Sequence, residues 1–294
     1  MVRIPFTKAQ GTGNDFLILE GTPEQIISSP EEIRRLCDRR FGVGADGIVF
    51  LSVPSAPADV DAELRLFNSD GGEAEISGNG TRCAAAFLAM KGVSSNPLAI
   101  RTKAGLKTLR MISCCGNRWD FEMAMGTPIL AARDIPFTPQ GAVPEPIVGF
   151  PLPLVSGPRR VTVTSMGNPH CSVAVEDFDW DWKSCGREIE SHPFFRQRTN
   201  VEFYRVLSRH HIEVRYWERG VGETLSSGTG SCAAAVAAIL NQQAESPVAV
   251  TTLAGVLPVR WDPDGVFLTG PAEITFQGEV FVSEPQPAAI QDNP

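Results

Sequence analysis

The feature that most constrains this chain is an internal repeat at an offset of 150 residues. Leu64 to Ala85 reads LRLFNSDGGEAEISGNGTRCAA and Val214 to Ala235 reads VRYWERGVGETLSSGTGSCAAA. Arg65 aligns with Arg215, Gly72 with Gly222 and Glu73 with Glu223. Ser77, Gly78 and Gly80 then align with Ser227, Gly228 and Gly230 without a gap. A weaker echo sets Gly13-Asn14 against Gly167-Asn168. A duplicated unit of this size predicts two homologous halves, hence two lobes with a cleft between them. The expected division is 1–126 with 277–294 returning to it, and 127–276.

Each copy has the same local pattern. Alternating apolar residues (Leu64 and Leu66; Val214 and Tyr216) predict a strand. A glycine-rich turn follows, SGNG at 77–80 and SGTG at 227–230, and then an alanine-rich stretch, Cys83 to Met90 and Cys232 to Leu240. Alanine is the best helix former, and these stretches are apolar on every side, so each helix should lie buried in its half. Thr81 and Ser231 are the expected N-caps. The unpaired N–H groups and dipole of such a helix end attract an anion, and glycine allows close approach of the backbone. Two related turns of this kind suggest a carboxylate held between helix ends, with Ser77 and Ser227 beside it.

Composition narrows the possible partners. The 294 residues are 43% hydrophobic and 20% charged, a globular mix, and 26 basic against 34 acidic residues give a net charge of −8. That balance argues against nucleic acid as a partner. No apolar run of membrane-spanning length occurs. Seven scattered cysteines, an odd count, point to reduced thiols and a cytoplasmic protein. Neither zinc-ligand spacing nor a cofactor motif is present: GTGND lacks the GxGxxG spacing, and no Walker lysine follows a glycine loop. Elsewhere, 31–40 reads as a short amphipathic helix. Val161 to Val163 and Cys171 to Val175 read as strands, the proline-rich 128–158 as an irregular crossover between lobes, and the tail after Ser283 as fraying.

Seven segments occur in the order typical of diaminopimelate epimerases: GTGNDF at 11–16, RFGVGADG at 40–47, FNSDG at 67–71, SGNGTR at 77–82, GNPH at 167–170, TNVE at 199–202 and WERGVGETLSSGTGSC at 217–232. The chain resembles that family over essentially its whole length. The resemblance implies an α/β (α+β) fold of two pseudo-symmetric lobes, each a mostly antiparallel sheet around a central helix. It also implies cofactor-independent inversion at one α-carbon of a diamino diacid, and a homodimer. Carried over position by position, it places Asn14, Asn68, Asn168, Asn200, Glu218 and Arg219 around the substrate. Backbone N–H groups of Gly78, Asn79, Gly228 and Thr229 would hold the reacting carboxylate, and His170 and Glu218 would tune an acid/base pair.

One departure stands out. The family's two catalytic cysteines fall at Ser77 and Ser227. Cys83 and Cys232 lie inside the helices and cannot substitute. A thiol is readily lowered to a thiolate at a helix N-terminus, whereas a serine hydroxyl must borrow a base. Three readings follow from the residues: an epimerase whose serines, Ser77 and Ser227, work through a relay; a substrate-binding module that scarcely turns over; or a related isomerase or dehydratase for another amino acid.

Overall fold

The computed structural model describes residues 1–27, 29–54, 59–139, 141 and 143–283. The tail expected to fray after Ser283 lies outside them. The chain divides into two compact units, Met1–Phe121 with the segment from Pro271 onward, and Glu122–Gly270.

The first unit opens with β1 (Val2–Gly11) and β2 (Asn14–Glu20), followed by the short helices α1 (Pro23–Ile26) and α2 (Pro30–Cys37). Strands β3 (Gly47–Ser52), β4 (Ala62–Asn68) and β5 (Glu73–Ala74) lead into the helix α3 (Gly78–Met90), then β6 (Leu98–Thr102), β7 (Gly105–Cys115) and β8 (Arg118–Gly126). Pairing is antiparallel for β1 with β2, β3 with β4, and β6 with β7. It is parallel for β2 with β3 and β4 with β6. Helix α3 packs against β1 to β4, and every residue from Gly80 to Leu88 is buried.

The second unit repeats the plan. After β9 (Phe150–Leu152) come β10 (Arg159–Ser165), β11 (Pro169–Ala174), α4 (Trp182–Glu190), β12 (Asn200–Ser208), β13 (His211–Glu218) and β14 (Gly222–Thr224). Then follow the helix α5 (Gly228–Leu240), β15 (Val248–Thr252), β16 (Gly255–Asp262) and β17 (Gly265–Val282), whose last residues pair with β1. The parallel pairs are again β11 with β12 and β13 with β15. Small alanine side chains let strands close around α5. Its Cys232 to Ala238 share one core with Val214, Tyr216, Val250, Leu257 and Leu268. The fold is thus mixed α and β, with one buried helix per unit.

Three local expectations need correction. The central helices begin a turn earlier than the alanine pattern suggests, and their N-caps are Ser77 and Ser227, not Thr81 and Ser231. The glycine-rich turn is itself the first helical turn. The Thr81 and Ser231 hydroxyls instead donate back to the carbonyls of Ser77 and Ser227. The amphipathic helix expected over 31–40 ends at Cys37, because Asp38 Oδ1 accepts the N–H groups of Arg40 and Phe41 and turns the chain. Segment 128–158 is irregular but belongs to the second unit. It buries Ile135, Phe137, Ile147 and Leu152 against Trp182, Phe195 and Trp217, because its apolar residues outweigh its prolines.

Register shows how far the repeat diverges. Phe16 pairs with Gly47 in the first unit and His170 with Asn200 in the second, so Gly47 occupies the place of Asn200. A Cβ at Gly47 would lie 2.5 Å from the Phe67 carbonyl oxygen, which is held in the β3–β4 ladder. Gly47→Ala is therefore expected to destabilise the protein by about 1–3 kcal/mol through overpacking, read as a lower urea midpoint. An unchanged midpoint would show that the ladder yields at no cost.

Candidate active site

Each glycine-rich turn delivers a serine in extended conformation onto a helix start, Ser77 with φ −131° and Ser227 with φ −137°. Ser77 Oγ accepts the Gly80 N–H at 3.1 Å, and Ser227 Oγ accepts the Gly230 N–H at 3.3 Å. The N–H groups of Gly78 and Asn79, and of Gly228 and Thr229, precede the first N–H donated within each helix, that of Thr81 or Ser231, and so have no intrahelical acceptor. That is an arrangement suited to a carboxylate.

In the first unit the structure brings Asn14 and Asn79 together. Asn79 Nδ2 donates to Asn14 Oδ1 at 3.3 Å, and Asn14 Nδ2 donates to Asp46 Oδ2 at 2.7 Å. Thr12 donates to Asn79 Oδ1 at 3.1 Å, and the buried Arg82 guanidinium donates to the same oxygen and to the Pro271 carbonyl. Asp46 is steadied in turn by Arg39 at 2.8 Å. Asn68 lies at the end of β4, exposed and apart from this group of bonds.

The second unit holds His170, Glu202 and Glu218. His170 is fully buried, with Nδ1 2.6 Å from Glu202 Oε1 and Nε2 2.9 Å from Asn168 Oδ1. Ser172 donates to the other Glu202 oxygen at 3.1 Å. Both ring nitrogens are thus engaged, one by the Glu202 carboxylate and the other by the Asn168 amide oxygen. Glu218 Oε1 accepts the Thr224 hydroxyl at 2.6 Å, and the Ser227 side chain is near enough to influence its carboxyl. Burial pushes the Glu218 carboxyl above its ordinary range, an effect that Thr224, His170 and Ser227 oppose. Asn200 is tied into the backbone, accepting the Arg219 N–H at 3.0 Å and donating to the Pro169 carbonyl at 3.1 Å. The Arg219 side chain is exposed and donates to the Gln197 carbonyl.

The two copies therefore differ in chemistry. Phe16 stands at the register position of His170, Val49 at that of Glu202, and Asn68 at that of Glu218. Glu202, Thr224, Asp46 and Arg82 were not singled out from sequence. Glu202 had a signal: it lies two residues after Asn200 on one strand, so both side chains share a face. The buried thiols take no part. Burial pushes Cys83 up to about 12, and Cys171 well above the usual range. Among the described residues no group of three or more His, Cys, Asp or Glu is placed to hold a metal ion.

The fold is shared with several solved structures of low sequence identity. A phenazine biosynthesis protein of the PhzF family from Bacillus anthracis superposes with a TM-score of 0.63 at 18% identity, covering 96% of this chain and all of that one. A hydroxyproline epimerase from Agrobacterium vitis gives 0.63 at 13% identity, covering 95% and 92%. At those identities the likeness is one of fold. The family profile of diaminopimelate epimerase matches residues 6–130 and 162–275. The diaminopimelate epimerase of Desulfitobacterium hafniense is 42% identical over 277 residues, covering 92% of this chain and 96% of that protein. That of Pelotomaculum thermopropionicum is 43% identical over 282 residues, covering 93% and 98%. The chain belongs to the diaminopimelate epimerase family.

Proposed function

We propose that this protein binds LL-2,6-diaminopimelate and exchanges and inverts the configuration at one α-carbon, with Ser77 and Ser227 acting in place of thiols. The observation that carries the proposal is that Ser227 caps the N-terminus of α5 with the Glu218 carboxyl, held by Thr224, in its neighbourhood. Proton abstraction needs a base, and a hydroxyl with a carboxylate in its neighbourhood has one at hand. As Ser227 Oγ takes the α-proton, its own proton passes to Glu218.

Inversion needs a proton carrier for each face of the carbon, and the two homologous turns supply one hydroxyl each. Charge developing on the substrate carboxylate is met by the N–H groups of Gly78, Asn79, Gly228 and Thr229, an electrostatic contribution that serine leaves intact. Asn14, Asn68, Asn168, Asn200 and Arg219 supply the amide and guanidinium groups that recognise the distal amino and carboxyl groups. His170, backed by Glu202, lies next to the acid/base pair and tunes it. None of these steps calls on a cofactor.

The protein works in this reading as a cytoplasmic homodimer, with reduced thiols supporting the compartment. Among the described residues, no helix is long and apolar enough to cross a membrane. The test is incubation with LL-diaminopimelate in deuterated water, followed by NMR. Slow appearance of deuterium at the α-carbon is expected. Absence of both exchange and binding overturns the proposal.

A further inference from the structure

Glu190, the last residue of α4, takes no part in the chemistry above, yet it is a carboxylate only 3% exposed. Both of its oxygens are occupied. Oε1 accepts the Gly220 N–H at 2.6 Å and the Arg198 guanidinium at 2.6 Å, and Oε2 accepts the Trp217 indole N–H at 2.8 Å. Its carbonyl accepts the Thr199 N–H at 3.2 Å. Three donors converging on one buried carboxylate form a charge-assisted cluster, the strong class of hydrogen bond.

The donors bracket the turn that matters. Trp217 and Gly220 flank Glu218 and Arg219, and the Arg219 N–H is held separately by Asn200. Gly220 has φ +78°, a left-handed conformation that lets its N–H face inward towards α4. Arg198 has φ +59°, a conformation unfavourable for a non-glycine residue, and its guanidinium is the counter-charge that reaches Glu190. Helix α4 lies close beneath. A Cβ at Gly186 would come within 2.9 Å of Trp217 Cβ. The helix, the turn and a backbone-strained arginine are thus joined at a single side chain.

We propose that Glu190 is a positioning residue: it holds the Trp217–Gly220 turn so that the Glu218 carboxylate stays directed at Ser227. This rests on the epimerase reading for its kinetic consequence but not for its structural one. Glu190 touches no substrate in this account and acts only through Glu218. Replacing it by glutamine keeps the shape but turns an amide donor towards a donor already present, either the indole or the Gly220 N–H. The turn must then shift to relieve the contact.

Glu190→Gln is tested in two ways on the full chain. The exchange rate on LL-diaminopimelate is expected to fall by about tenfold to a hundredfold, with kcat affected more than KM, as for a misplaced catalytic group. Carboxyl-detected 13C NMR should show the Glu218 titration moving back towards the ordinary glutamate range, a change that loss of stability alone does not produce. If glutamine prevents folding, Arg198→Gly removes one of the three donors and relieves the positive φ, and the Glu218 titration should move the same way by less. A Glu218 titration unmoved in the folded variant overturns the proposal. Lack of both exchange and binding by the unmodified protein, with the titration shifting as expected, overturns the epimerase reading and leaves the positioning role standing.

Discussion

Changing both cap serines to cysteine, Ser77→Cys with Ser227→Cys, is expected to raise the rate of α-proton exchange by about 10²- to 10⁴-fold near neutral pH, the range spanned by general acid–base catalysis. The free thiol titrates near about 8.5 and falls further at a helix N-terminus, so a useful fraction is thiolate at pH 7. A serine hydroxyl supplies no comparable base and depends on Glu218 at one turn. The extended backbone at both positions accepts cysteine without strain. The gain has a cost elsewhere. Ser77 and Ser227 cap their helices through the N–H groups of Gly80 and Gly230, and losing a good cap costs about 0.5–2 kcal/mol at each site. The double variant should therefore be faster and melt lower. Equal exchange rates before and after the change would refute the idea that hydroxyl chemistry limits this protein.

Glu218→Gln is expected to act in the opposite direction on both properties. Removing the acceptor for the Ser227 proton should lower the exchange rate by about 10²- to 10⁴-fold. Stability should move the other way, and its sign follows from linkage. Burial raises the Glu218 carboxyl above its ordinary value of 4.5, so between that pH and its folded pKa the native state holds a proton that the unfolded state has lost. The native state is penalised as pH rises through this window, fully so above the folded pKa, and not at all below about 4.5. Glutamine carries no such penalty. The variant should melt higher than the parent at pH 7 to 8, and the advantage should vanish towards pH 4. A melting difference independent of pH would mean that Glu218 does not titrate in this way. Together, the two variants separate the two terms at one turn: the hydroxyl's acidity and the base that receives its proton.

Short-range signals in this chain were read correctly where the backbone alone decides. The alanine runs gave the two central helices, and the alternating residues around Leu64 and Val214 gave strands β4 and β13. The caps were misplaced by four residues because a hydroxyl at 77 and one at 81 look alike in sequence. Which of them accepts an N–H depends on where helical dihedrals begin. Likewise the prolines of 128–158 suggested a loose connection, while burial of Ile147 and Leu152 depends on side chains far along the chain.

The site divides along the same line. The repeat, the two serine turns, the absence of cysteine at 77 and 227, and the roll of asparagines were all visible as residues in order. Their partners were not. His170 meets Glu202, Trp217 meets Glu190 and Asn14 meets Asp46 across separations of 32, 27 and 32 residues, set by parallel strand register and by the seating of α2 and α4. Sequence by itself determined that two homologous glycine-rich turns would each lead into a buried helix, because glycine freedom and helix propensity are local. Only the tertiary structure decided which charged partners each copy gathers, Arg82 and Asp46 about the first and His170, Glu202 and Glu218 in the second. Hydrogen bonds to buried carboxylates form between strands and helices whose pairing no local preference specifies.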